Sequence, residues 1–421
     1  MQINEFRKNN MPIYYLETNK FKTNLFGFSF IVPLSSKYLS EHTILAQLFT
    51  KYSSLFKTER ELSLALNKLY DSQIFYNFEK KGKILQVTFY LHTIKDKYIK
   101  DKNILSDTFK LFFDVVFSKK IITNEILNKE INIYKESIDS KLSNPFYVAS
   151  KTLIEVMFEN ELYLKNLDVS KSDVDKITIE SMYKAYNELL SATKFGFIIG
   201  DVNLDVLDSL MAAINFYNKP MLDVVDMEDK SEDNIKFKEV PMNITQSTLA
   251  VGYRTNIRLN SKEYFAMCVL NKLLGGGYDS VLLREIREKY NLVYQINTEY
   301  DWYKGVLVVN AGVDHKDYQL VTNLIEKSIQ NIKNNQIDDT LFNAIKEQLI
   351  NEQLEADDNL LSLLEVINQK SIFNKNIISN DEKIKKIKSI TKGEIVSACN
   401  TLKIDTIIIV GKEDNHDNKK W

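Results

Sequence analysis

Histidine and cysteine are scarce in this 421-residue chain, and their scarcity excludes a good deal of chemistry. The four histidines are His42, His92, His315 and His416, and no two of them stand four residues apart. A helix that binds zinc through imidazoles at i and i+4 on one face cannot be drawn from them. His42 reads as a surface or N-cap residue, His92 as a strand end, His315 as the start of a helix, and His416 as part of a polar tail. Two cysteines, Cys268 and Cys399, are too few for a disulfide framework, which points to a reducing, cytoplasmic compartment. Cys268 sits in the apolar run YFAMCVL and reads as a small core residue rather than a nucleophile. No apolar run approaches about 18 residues, so no membrane span is expected. The opening stretch MQINEFRKNNMPIYYLETNKF lacks the apolar core of a secretory signal. A formal net charge of −2 removes nucleic acid and anionic membrane as main partners. The 22 tyrosines and 23 phenylalanines are scattered and read as core and cleft lining rather than a base-stacking platform.

What is present is a chain long enough for two domains. Its strongest local signals lie between Asn271 and Asp314. Gly275-Gly276-Gly277 is its single glycine cluster and follows an apolar helical run, where a C′ glycine stops a helix. Val281, Leu282 and Ile286 then pattern a charged amphipathic helix. Leu292 to Thr298 and Val306 to Val313 read as hairpin strands about a turn at Asp301 to Gly305. Asn291, before the first strand, tolerates a left-handed turn. Arg287 near the helix end and Tyr294 on the strand stand seven residues apart, so a sharp corner brings guanidinium and phenol towards one cleft.

The two halves repeat one order of elements. In the first, a strand at Phe26 to Pro33 precedes helices at Glu41 to Tyr52 and Glu59 to Tyr70. A hairpin from Gln73 to Leu91 turns at Lys81-Gly82, long helices run from Asn103 to Lys141, and a helix follows Pro145. The half closes with a helix at Ser181 to Leu190 and a strand at Phe195 to Ile199. In the second, a strand at Thr248 to Tyr253 leads to Asn260-Ser261-Lys262-Glu263, which resembles a capping box. The hairpin here turns at Lys304-Gly305, helices span Tyr318 to Ile332 and Thr340 to Ile367, and the strand Thr406 to Val410 closes the half. The expected architecture is α+β, two tandem homologous domains of helices on a mainly antiparallel sheet. Their boundaries are 1–218 and 241–421, joined by a linker at 219–240 that includes the acidic stretch PMLDVVDMEDKSEDNI.

The stretch Asp279-Ser280-Val281-Leu282-Leu283, then Arg287-Glu288-Lys289, then Leu292-Val293-Tyr294 resembles the C-terminal-domain signature of the pitrilysin/insulinase-like metallopeptidases. The branch concerned is built from separate half-length subunits. Asn291 replaces that family's usual Gly. The tandem order of elements extends the resemblance over nearly the whole chain, with weaker support from Pro145, Gly200-Asp201 and the terminal IIIVG. The resemblance implies a clamshell of two such domains. It gives the matching Arg287 and Tyr294 a part in holding substrate near a metal, and it makes Ile74, Phe75, Tyr76 and Asn77 a sheet edge on which substrate pairs.

Active members carry His-x-x-Glu-His on the first helix, the imidazoles binding zinc and the Glu activating water. Aligned on Leu48-Phe49, this chain has Thr43 and Gln47 at the two His positions and Ala46 at the base. Ser137 stands at the distal ligand position, with Glu136 one residue away as the alternative, and Glu130 matches a supporting acid. A zinc site needs three protein ligands, so no metal, no cofactor and no peptidase activity of its own are expected. The resemblance therefore implies a non-catalytic subunit of a heterodimer. Its partner would be a zinc-bearing paralogue with intact His-x-x-Glu-His and its substrate a peptide or unfolded protein, in peptide processing or elongation factor P modification. Arg287 and Tyr294 are then expected to face the cleft between the domains of that assembly. The competing expectation, from a different class, is a non-enzymatic peptide-binding scaffold of the same fold that adds a strand at the 74–77 edge.

Overall fold

The computed structural model describes residues 3–100, 103–159, 169–203, 212, 218–219, 234–373 and 378–412. The strand–helix alternation of the sequence resolves into two sheets. The first half supplies β1 (Ile3–Lys8), β2 (Met11–Glu17), β3 (Thr23–Pro33), α1 (Leu39–Phe49), α2 (Glu59–Lys68), β4 (Gln73–Lys81) and β5 (Ile84–Ile94). It continues with α3 (Ile104–Phe117), α4 (Asn124–Leu142), α5 (Pro145–Met157), α6 (Lys171–Val174), α7 (Ile179–Ser191) and β6 (Thr193–Gly200). The second supplies β7 (Lys236–Val240), β8 (Ser247–Arg254), α8 (Tyr264–Asn271), two π-helical turns, π1 (Lys272–Gly276) and π2 (Leu283–Lys289), β9 (Val293–Asp301) and β10 (Val306–Val313). After these come α9 (Tyr318–Lys333), α10 (Asp339–Ala356), α11 (Leu360–Phe373), α12 (Asn380–Ser389), α13 (Lys392–Asn400) and β11 (Lys403–Val410).

The strand orders are β1-β2-β6-β3-β5-β4 and β7-β11-β8-β10-β9. Apart from β1, the second repeats the first strand for strand. In each, one parallel pair, β2–β6 or β7–β11, sits in an otherwise antiparallel sheet. The matching turns keep their chemistry too. Gly82 and Gly305 adopt φ of 60° and 68°, which a side chain resists, and each follows a buried lysine.

The chain divides into two compact units that are discontinuous in sequence. One holds Met1–Ile138, Lys165–Asp226 and Ala356–Ile377; the other holds Asp139–Leu164, Met227–Glu355 and Ile378–Trp421. The linear division at 219–240 leaves out this exchange, and residues 220–233 of the expected linker lie outside the described residues, as does His416. Each exchanged segment carries a helix that covers one sheet face. In the first unit α11 lays Leu363, Leu364 and Ile367 on Tyr14, Leu25, Phe195 and Phe197, the face opposite the α1, α3 and α7 layer. In the second, α5 lays Ala149, Leu153 and Met157 on Ala250, Ile408 and Val410. A Cβ on Gly252 would come within 3.2 Å of the Leu153 methyls, so a glycine is what lets α5 settle on β8.

Three local expectations are corrected. The single helix from Thr340 to Ile367 is two, because Asn359 Oδ1 accepts the Leu361 and Ser362 amides at 2.8 and 3.2 Å and starts α11 afresh. The capping box at 260–263 does not form; Ser261 Oγ accepts the Arg258 amide at 2.9 Å, and α8 begins without a side-chain cap. Gly275–Gly277 do not end a helix in a left-handed cap. None has positive φ, and their role is close approach: a Cβ at Gly275 would lie 2.7 Å from Thr298 Cγ2 on β9.

Candidate functional site

The corner between π2 and β9 is built on irregular backbone at both ends. Leu282 and Ile286 are fully buried and anchor the turn, while Arg287, Glu288, Lys289 and Tyr290 are exposed. Asn291 closes it with φ of 52°, the left-handed conformation that asparagine tolerates, and its amide donates to the Arg287 carbonyl at 3.0 Å. The π winding rotates side chains away from α-helical register, a feature that recurs at functional sites. Of the basic groups here, Arg284 is forked onto Asp279 and Lys289 pairs with Glu285 at 2.9 Å. The guanidinium beside it holds the Asp279 carboxyl below its ordinary range. Among the described residues no carboxylate pairs with Arg287.

Tyr294 stands in a β-bulge. Gly312 opposes Gln295 and Val313 opposes Val293, so Tyr294 is the unopposed residue. Strict alternation would bury every second side chain. Instead Tyr294 and Gln295 both face out between buried Val293 and Ile296, and Tyr294 is 64% exposed. Bulges re-aim side chains in this way beside active sites. The bulge lies on an edge strand, and the end of α8 braces that strand through the Thr298 hydroxyl, which donates to the Asn271 carbonyl at 2.9 Å. Arg287 and Tyr294 thus share one corner, both exposed, with a forked cationic donor set and one phenolic donor between them.

In the other unit α1 has the opposite character. Ile44, Leu45, Ala46, Leu48 and Phe49 are buried in the sheet-side core. Thr43 is half-buried with its hydroxyl turned to the Leu39 carbonyl at 3.2 Å, and Gln47 is half-buried one turn on. Ser137 donates to the Tyr134 carbonyl at 2.7 Å, and its neighbour Glu136 is exposed. These positions offer no imidazole and Ala46 offers no donor at all, so the residues present do not fit a zinc ion. Among the described residues no group of three His, Cys, Asp or Glu is placed to hold a metal.

The polar groups near α1 are bound to one another. His42 is fully buried, not at the surface or the N-cap, because Glu188 on α7 gives its Nε2 a partner at 2.8 Å. The Ser36 hydroxyl donates to the same carboxylate at 2.7 Å. The His42 bond, chiefly, holds Glu188 below its ordinary range. Glu130 is fully buried and accepts from Lys51 at 2.8 Å and from Tyr52 at 3.3 Å. Sequence spacing carried no signal for the His42–Glu188 pair, whose members are 146 residues apart. Of the other singled-out groups, His92 donates to or accepts from Thr23 near the end of β5. Cys268 is half-buried overall, yet burial pushes its thiol up to about 12.

β4 ends its sheet, paired on one side only with β5. Ile74, Phe75 and Asn77 are half-buried, Tyr76 is exposed, and Phe75 stacks on Tyr90 at 4.8 Å between centroids. Its outer row of backbone groups is available to an added strand.

No helix among the described residues is long and apolar enough to cross a membrane. Residues 176–349 match the family model described as the peptidase M16 inactive domain. The chain is 26% identical to the probable inactive metalloprotease YmfF of Bacillus subtilis over 96% of this chain and 97% of that one. Among solved structures, a conserved protein from Enterococcus faecalis V583 is similar with a TM-score of 0.88 at 24% identity, covering 99% of this chain and 100% of the other. A peptidase M16 inactive domain from Pseudomonas fluorescens gives 0.81 at 14% identity, covering 98% and 99%; both likenesses speak to the fold. The doubled sheet topology, the family-model match over residues 176–349 and a relative similar along nearly its whole length make this chain similar to M16-family proteins, among them ones described as inactive or as non-peptidase homologues.

Proposed function

We propose that this chain is the non-zinc-binding subunit of a heteromeric M16 peptidase and supplies Arg287 and Tyr294 to a peptide held beside the partner's zinc. Arg287 grips a peptide carbonyl or carboxylate through its planar donor fork, and Tyr294 donates to the oxygen on which negative charge develops. One observation carries the reading: among the described residues Arg287 is left without a carboxylate while both neighbouring basic groups are paired, and Tyr294 is turned out by a bulge on the adjoining strand. A stability role gives no reason to expose an unpaired guanidinium and a phenol on the same irregular corner. Peptide maturation and elongation factor P modification are the processes that the family resemblance attaches to such pairs.

The test is co-expression with the paralogue from the same genome that carries intact His-x-x-Glu-His, followed by size-exclusion chromatography, metal analysis and peptide hydrolysis. The expected result is a stable pair with about one zinc, carried by the paralogue, and hydrolysis by the pair but not by this chain alone. Chelator-sensitive hydrolysis by the isolated chain, or failure of the two to associate, overturns it.

The second reading, a peptide-binding scaffold without a catalytic partner, is favoured by the open edge of β4. Strand addition there supplies affinity through main-chain hydrogen bonds without any chemistry. Proline scanning of a bound peptide separates the two, because loss of affinity at alternate residues marks strand addition.

A further inference from the structure

The second unit holds a cavity of about 340 Å³ between α5 and the β9–β10 hairpin. This is at the small end of the range for ligand pockets, about 300–1,000 Å³, and suits one side chain rather than a cofactor. Its floor is apolar: Leu153 and Ile154 from α5, Val306 and Val308 from β10. Side chains alternate along β10, so Asn310, which also lines the cavity, points to the same face as Val306 and Val308. Asn310 is 5% exposed, and its Oδ1 has no hydrogen-bond partner. An unpaired buried amide is costly, of a kind that a ligand's donor relieves.

The charges around this amide select the donor. Three charged groups line the cavity: Glu299, Asp301 and Lys304. Asp301 is neutralised by Lys304 at 2.8 Å, and Lys304 also lies over the Phe158 ring at 5.5 Å. Glu299 is exposed, receives only the Asn297 amide at 3.4 Å, and pairs with no cation among the described residues. Trp302 completes the wall. An apolar floor, an indole wall, one free carboxylate and one unpaired amide oxygen are complementary to a long aliphatic stem that ends in a cationic donor.

We infer that this cavity binds the basic side chain, Lys or Arg, of a peptide. The stem lies on Val308 and Ile154, and the head donates to Glu299 and Asn310. Neither Arg287 nor Tyr294 lines this cavity, and the inference does not depend on their role.

The chain has two tryptophans, Trp302 and Trp421, so Trp421→Phe leaves Trp302 as the sole indole reporter in the full-length protein. Its emission is titrated with acetyl-Ala-Arg-Ala-amide, with the isosteric neutral citrulline peptide, and with agmatine. The Arg peptide is expected to give a saturable change, with the citrulline peptide at least about tenfold weaker, as for loss of a charge-assisted hydrogen bond. Glu299→Gln should weaken the Arg peptide by about the same factor, and the nearly isosteric Asn310→Leu should weaken it likewise by removing the amide acceptor. Because Glu299 is exposed, its variant folds even if Asn310→Leu does not. Arg287→Ala should leave the titration unchanged, which separates this site from the proposed catalytic role. No saturable response, equal binding of Arg and citrulline peptides, or indifference to Glu299→Gln overturns the inference. Agmatine binding as tightly as the peptide also overturns it, since the occupant is then a free organic cation.

Discussion

The helix after β3 in one unit and the π2–β9 corner after β8, the equivalent strand of the other, treat polar chemistry in opposite ways. α1 is a regular helix whose motif positions carry Thr43, Ala46 and Gln47, and near which His42 Nε2 and Lys51 are bound internally by Glu188 and Glu130. The corner departs from regular backbone twice, at π2 and at the bulge, and both departures leave a polar side chain outside. Helix and strand register normally set which side chains are buried. Giving up that register has a stability cost, so irregularity kept where Arg287 and Tyr294 stand argues for use.

The sharpest way to break this contrast is to put chemistry back on α1. Ala46 is fully buried among Ile44, Leu45 and Phe49. Ala46→Glu should therefore cost about 5 kcal/mol, as an unpaired buried carboxylate in a packed core does. Denaturant melting checks it. A loss under about 1 kcal/mol would mean that α1 still borders an open site.

The exchanged helices give the next contrast. Arg254 is buried, bonds Asp405 at 2.7 Å, and donates to the Met157 carbonyl at the end of α5. Arg254→Ala leaves Asp405 charged and alone, and about 3–5 kcal/mol should be lost. Lys81 is also buried, but its partners Glu79 and Glu365 are substantially exposed, Glu365 lying on α11. Water takes over for those carboxylates, and Lys81→Ala should cost only about 1 kcal/mol. Equal losses in urea titrations of the two variants would contradict the difference in burial.

A smaller effect separates His42–Glu188 by pH. Glu188 is held below the ordinary carboxylate range chiefly by the His42 bond. Its folded form therefore binds fewer protons than its unfolded form, and the stability it contributes is present above the unfolded value, about 4.3, and lost as pH falls through the depressed folded one. The stability gap between wild type and Glu188→Gln should be constant above about pH 5 and shrink as pH falls below about 4.3. A gap independent of pH in that window would remove Glu188 as the titrating group.

How much of this was legible in the sequence differs between the two regions for the same reason. Lys81-Gly82 and Lys304-Gly305 announced the repeat because a positive-φ turn is a local requirement that residue type reveals, and Asn291 did likewise. The edge position of β4 came from the family resemblance. The exchange of α5 and α11 was not legible: Leu153 and Met157 declare a helix with an apolar face but not which sheet receives it. β1, β7, α12 and α13 carried too little pattern to be read. His42 was misread because its partner Glu188 is distant in sequence. The π turns and the bulge left no mark either, since the same residues pattern equally well as a regular helix and strand. The candidate residues were therefore named by resemblance, and the geometry around them was not legible.

The smallest expected change in stability belongs to the corner itself. Arg287→Ala and Tyr294→Phe alter exposed groups and should move stability by no more than about 0.5 kcal/mol. Their effect should appear in turnover, and turnover is the most direct test of the account. With each variant assembled with the zinc-bearing paralogue, the rate of peptide hydrolysis at saturating peptide should fall roughly 100- to 1,000-fold, as when one oxyanion donor is removed, with the melting temperature and the yield of complex unchanged. Hydrolysis at the full rate, or a melting temperature lowered along with the rate, would contradict it.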